Sequence, residues 1–233
     1  MDTTDETRPG TRLVDALSAA SPSVRLRAAL AAGSSPDPAL LEPLVQRCAV
    51  EPDFFVRDML SWALTRLPPG VTLPRVRREL GSLRARARGQ ALHTLSKIGN
   101  GRAWAWITAD LLRDPDDEVA RTAWRVAVAL VPEDEATRAR LADELVGQLG
   151  RGGPGVQLGL SRALVDLGEP VRPALEEAAV APDPAVAAHA RATALLLRNP
   201  EIAFDAAVDE AKRLVALGPE RAAAAADGAG ARC

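Results

Sequence analysis

The sequence predicts an all-α protein, a right-handed superhelical array of about six helical hairpins of the α-solenoid kind. Three observations carry this. Apolar residues recur on one helical stripe at a period of thirty-odd residues. Proline with Asp or Ser stands just ahead of most recurrences. No Asn-Gly pair stands between segments of sustained apolar/polar alternation, so strands are not expected.

The stripe is found by aligning the chain on Val24, Val56, Ala87, Val119, Val156 and Val186, which lie 32, 31, 32, 37 and 30 residues apart. Four residues on stand Ala28, Leu60, Ala91, Ala123, Leu160 and Ala190. Offsets seven and eight add Ala63/Leu64, Thr94/Leu95, Val126/Ala127 and Ala163/Leu164, and offset eleven gives Leu67, Ile98, Leu130, Leu167 and Leu197. Such offsets share one face of a helix. Ser21-Pro22, Glu51-Pro52-Asp53, Asp114-Pro115-Asp116 and Ala181-Pro182-Asp183-Pro184 precede these helices, because proline is tolerated in a first turn and a short polar side chain caps free amides. Gly33, Pro68-Pro69-Gly70, Gly99, Pro132, Gly168 and Pro200 close them or follow soon after.

Between the anchored helices lie shorter apolar segments that predict partner helices: LLEPLVQRCAV from residue 40, LPRVRREL from 73, AWAWITADLL from 103, RLADELVGQL from 140 and VRPALEEAA from 171. The longest spacing runs through RGGPG, residues 151–155, read as a longer inter-repeat turn, since the Lys-Ser/Thr of a phosphate loop and a preceding strand are both missing. A final helix over 200–218, with Glu201, Asp205, Asp209 and Glu210 outward, is expected to cap the last apolar face. The domain therefore spans 11–218, flanked by a disordered N-terminus (1–10) and a low-complexity tail (219–233).

Composition narrows the function. The 233 residues carry 29 Lys+Arg against 31 Asp+Glu, a net charge of −2, so steering of the whole molecule toward nucleic acid or an anionic membrane is not expected. Two cysteines, Cys48 in an apolar run and Cys233 at the end, build no disulfide framework and suit a reducing cytosol. The N-terminal residues lack the pattern of a signal peptide, and no apolar run approaches a membrane span, so the expectation is cytoplasmic with no membrane partner. Two lysines, Lys97 and Lys212, beside many Arg and Ala suggest a high-GC genome.

The paired helices, with DPDDEVARTAWRVAVALV and EPDFFVRDMLSWALTRLP as the best units, resemble HEAT repeats, including the short HEAT-like form noted in phycobilisome lyases. The chain is similar to the HEAT-repeat proteins of bacteria with high-GC genomes. That resemblance covers roughly residues 11–218. It implies an armadillo-like helical scaffold, non-catalytic and without cofactor or metal, whose second helices line a concave groove that holds a protein partner.

Offset six points ~240° from the anchor, away from the stripe, and gives Trp62, His93, Arg125 and Arg162 in successive units. Offset two contributes Asp58 and Arg121, and offset ten Lys97. The groove reading therefore assigns binding to Asp58, Trp62, His93, Lys97, Arg121, Arg125 and Arg162. Arginine forks and a flat indole suit an acidic or phosphorylated protein partner. The plain alternative is that these side chains only cover solvated helix faces.

The other aromatics read as packing. Phe54 and Phe55 are expected to staple the start of their helix to its partner. Trp104 falls on a stripe with Ile107 and Leu111, Trp106 lies at its edge, and Trp124 is placed to bridge to the next repeat. Residues 71–113 carry nine cations against Glu79 and Asp110, which makes a nucleic-acid module the alternative function. One HEAT-like family, the alkylpurine DNA glycosylases, uses tryptophans with a carboxylate in a basic groove. EPDFFVRDMLSWALTR is similar to one of its helices in FF and the later W, which would make Asp58 and Trp62 the pair; the chain has no tyrosine, and its charge balance argues against DNA. His93 and His189 are far apart in sequence and fit no zinc spacing.

Overall fold

The computed structural model describes residues 9–199, 206–209 and 211–212. Among these residues every regular element is helical. The chain divides into two compact units, Met1–Ile107 and Thr108–Cys233.

The first unit contains α1 (Pro9–Leu17), α2 (Pro22–Ser34), α3 (Leu41–Cys48), α4 (Phe54–Arg66), α5 (Pro69–Glu79) and α6 (Ala85–Ile98). Consecutive helices pair as hairpins, α1 with α2, α3 with α4 and α5 with α6. The second helices stack in turn, α2 on α4 and α4 on α6. The second unit repeats the plan with α7 (Ala109–Leu112), α8 (Asp117–Leu130), α9 (Glu135–Val146), α10 (Pro154–Leu167), α11 (Arg172–Ala178) and α12 (Pro184–Arg198). There α7 pairs with α8, α9 with α10 and α11 with α12, while α10 packs on both α8 and α12.

The expected register is met at the helix starts and at offset four, whereas the anchors Val24, Val156 and Val186 and the offset-eleven residues Ile98, Leu130 and Leu197 are only half-buried. Each of the six anchors is the third residue of its helix. Ala28, Leu60, Ala91, Ala123, Leu160 and Ala190 at offset four are all buried. Helix starts are set by acidic caps: Asp53 accepts from the Val56 amide at 3.0 Å, Asp116 from Glu118 and Val119, Asp134 from Thr137, and Asp183 from Ala185. α6 ends at Gly99, whose φ of 65° closes the last turn onto the Leu95 carbonyl.

A second repeat signal lies one residue after the anchor. Arg25 donates to the carbonyls of Ala19 and Ala20, Arg57 to those of Glu51 and Pro52, and Arg88 to that of Ser82, so each ties its helix to the turn that feeds it. In the fourth repeat this position is Ala120, and Arg151 of the following repeat donates to the Asp114 carbonyl instead. Arg25 also forms a two-bond pair with the fully buried Glu51, which accepts from Arg47 and the Asp53 amide as well. Burial opposes the Glu51 charge, but these hydrogen bonds outweigh it and hold the carboxyl at about 2.

The stacked helices carry a matching polar cluster in each unit. Thr94 donates to the Gln90 carbonyl, Ser61 Oγ lies 2.9 Å from Thr94 Oγ1, and the Gln90 amide donates to Ser61 Oγ and the Arg57 carbonyl. At the same offsets Thr193 donates to the His189 carbonyl, Ser161 Oγ lies 2.7 Å from Thr193 Oγ1, and His189 Nε2 meets Ser161 Oγ and the Gln157 carbonyl. His189 thus stands where the first unit has Gln90.

Several expectations need correction. Residues 9 and 10 belong to α1, which supplies the partner of α2. The helix expected over 103–112 is broken into a 3-10 segment, Gly101–Trp106, and α7, with Ile107 and Thr108 extended between them. β-branched residues at both positions, with Thr108 leading into α7, favour the break. Ala103, not the half-buried Trp104, fills the core there. Phe54 and Phe55 are not core: they are 64% and 69% exposed. Trp124 is fully buried and donates to the Leu112 carbonyl, while Arg151 of the next repeat lies over its ring at 5.9 Å. Of the capping helix, residues 206–209 and 211–212 are helical, and Ala207 and Ala211 are buried with Ala188, Ala192 and Leu196 of α12. The rest of that helix, residues 1–8 and the tail 219–233 lie outside the described residues.

Candidate functional site

The seven groove residues fall into two sets, Asp58, Trp62, His93 and Lys97 in the first unit and Arg121, Arg125 and Arg162 in the second. In the first unit, α4 and α6 bring Asp58 to 2.8 Å from Lys97 Nζ and 3.3 Å from His93 Nε2. The Lys97 hydrogen bond, with His93 adding to it, holds the Asp58 carboxyl below its ordinary range. Asp58 and Lys97 therefore neutralise one another, and this stretch offers an incoming anion little free charge.

Trp62 departs from expectation. Its indole is half-buried and covers Gly33 of α2, so closely that any Cβ at Gly33 would overlap the six-membered ring. The helical wheel places Trp62 outside its own hairpin's stripe, but in a stacked array that direction faces the preceding second helix. The side chain is an inter-repeat packing element.

The second unit is different. Arg121 pairs with Glu118 one turn back, and its stem lies over Gly159 of α10. Arg125 and Arg162 are exposed and have no side-chain partner among the described residues. They occupy the same offset on α8 and α10, which pack together. Guanidinium forks at equivalent positions of two packed helices have the chemistry to take carboxylates or a phosphate.

Most of the basic segment is already engaged. Arg75 bonds Glu42 and Glu79, Arg77 stacks on Trp106 at 5.1 Å, Arg86 donates to the Glu51 carbonyl, and Arg113 pairs with Glu144. These groups point to several neighbours and form no continuous phosphate track. Cys48 is buried, which pushes its thiol up to about 12 and leaves it unreactive. Among the described residues no His/Cys/Asp/Glu group is placed to hold a metal ion, and no helix is long and apolar enough to cross a membrane.

Sequence reasoning did not find the Ser61/Gln90/Thr94 and Ser161/His189/Thr193 clusters or the Arg25–Glu51 pair. The signal was present as Arg at offset one, Gln or His at offset three and Ser at offset five, positions that an apolar-stripe search passes over, while Thr94 at offset seven counted only as part of the stripe. No protein-family model and no curated protein matches the chain.

Proposed function

We propose that the chain is a non-catalytic HEAT-like repeat scaffold that binds an acidic or phosphorylated protein partner. The observation that carries this is the exposure of Arg125 and Arg162, unpaired among the described residues at equivalent positions of two packed helices. Other exposed arginines, among them Arg27, Arg66 and Arg78, also lack a side-chain partner among the described residues, but Arg125 and Arg162 stand at the same offset on two packed helices. The six anchors at the third position of six helices support the repeat assignment. The arginine-rich, lysine-poor composition and the small number of cysteines are in keeping with a bacterial cytoplasm.

The binding region this reading retains is Arg125 and Arg162, with Arg121 at its side. Asp58, His93 and Lys97 act as an internal ion-pair group, and Trp62 as packing. The test is capture of partners from native cell extract by the wild-type chain and by Arg125→Glu/Arg162→Glu, followed by titration of the purified partner. Loss of an acidic or phosphorylated partner at unchanged melting temperature supports the proposal. Equal capture by both proteins contradicts it, and retention on unmodified or alkylated duplex DNA with base release would favour the glycosylase alternative.

A further inference from the structure

Phe54 and Phe55 open α4, and Leu83 stands in the turn ahead of α6. At 64%, 69% and 101% exposure they are the most exposed large apolar side chains of the first unit's described residues. Three bulky groups left in water call for a partner, since scattered single residues are ordinary but a shared edge is not. The edge is shared because Arg86, in the first turn of α6, donates at 2.6 Å to the Glu51 carbonyl ahead of α4. The phenyl rings meet edge to face, with centroids 5.6 Å apart, and the Arg57 guanidinium lies 5.9 Å from the Phe54 ring.

Charge on this edge has one sign. Arg84 and Arg86 are exposed. The two nearby acids are spent internally, Glu51 fully buried against Arg25 and Arg47, and Asp53 capping α4. α6 begins without a side-chain cap, so the positive end of its dipole faces the same side.

We propose that this edge docks the protein on an anionic lipid bilayer. Phe54, Phe55 and Leu83 enter the boundary between headgroups and acyl chains, and Arg84 and Arg86 meet the lipid phosphates. A lipid surface fits better than a protein pocket because the three side chains project into solvent. A protein would need ready-made holes for each, whereas the lipid boundary accepts a projecting group wherever it lands. The net charge of −2 leaves the rest of the surface unattracted, so docking orients the molecule by this edge. The proposal departs from the expectation of no membrane partner, which rests on net charge and on the lack of an apolar run long enough to span a bilayer.

Cosedimentation of the full chain with phosphatidylcholine vesicles, and with equal parts phosphatidylcholine and phosphatidylglycerol, tests it. The wild type pellets with the anionic vesicles at low salt and stays in solution with the neutral ones. Phe54→Ser/Phe55→Ser/Leu83→Ser, whose targets are exposed and whose fold is checked by melting, loses about tenfold in partitioning, and Arg84→Glu loses part of it. No pelleting with anionic vesicles, or pelleting unchanged by the triple substitution, overturns the proposal. So does light scattering in which the triple substitution only converts a dimer to a monomer, which would assign the edge to a second copy.

Discussion

The indole of Trp62 occupies the space where a side chain of Gly33 would be, so that α2 and α4 approach through a ring on one helix and a bare Cα on the other. This single contact turns a residue expected to face a ligand into a packing element between repeats. It also reverses an ordinary rule. Alanine normally stabilises a helix relative to glycine by about 1 kcal/mol. Gly33→Ala should instead destabilise by about 1–3 kcal/mol, because the rigid ring must move. Urea unfolding measures it, and in a Trp62→Ala background the penalty of Gly33→Ala should largely vanish.

His189 makes the second unit sensitive to acid. It is 2% exposed, its Nδ1 accepts from the Gly150 amide at 3.0 Å, and its Nε2–H faces Ser161 and the Gln157 carbonyl, so both nitrogens are committed in the neutral ring. Burial lowers its pKa from 6.5 to about 4. Between those values the unfolded chain binds the extra proton, so the contribution is complete above the upper value and lost as pH falls toward the lower. The slope is about 1.4 kcal/mol per pH unit. His189→Gln, which copies Gln90, should remove that slope in denaturant titrations at stepped pH, while leaving the fold intact.

Glu51 governs the first unit at lower pH. Its carboxyl is held at about 2 against an ordinary 4.5, so its stabilisation is present above 4.5 and lost as pH falls toward 2. Glu51→Gln leaves Arg25 buried without its anion and should cost about 3–5 kcal/mol at neutral pH. Thermal melting and acid titration of the variant check both statements. Removing both partners with Arg25→Met/Glu51→Leu should be much less costly than the single change.

The sequence made the second helices legible because burial in a stacked array imposes one stripe on each, and Val56, Val119 and Leu160 could only lie inward. The partner helices were less legible. Residues 103–112 carry an apolar spacing that suits a helix, yet Ile107 and Thr108 break it, which a stripe count does not weigh. Phe54 and Phe55 are exposed despite their apolar bulk because positions one and two residues ahead of the anchor lie outside the stripe. The candidate site was half legible. Helical angle placed Arg125 and Arg162 outward, but it could not tell that Lys97 is matched by Asp58 from the neighbouring helix, or that Trp62 covers Gly33. Such facts depend on which side chain of the adjacent repeat lies opposite.

The central claim is that two equivalent arginines on α8 and α10 form an anion-binding face. Titration of 15N-labelled protein with a short polyglutamate peptide at low salt tests it most directly. The account predicts amide shifts centred on Arg125 and Arg162, abolished by Arg125→Glu/Arg162→Glu, with the amides around Asp58 and Lys97 unmoved. Shifts centred on Lys97 and His93 instead, or none around α8 and α10, would contradict it.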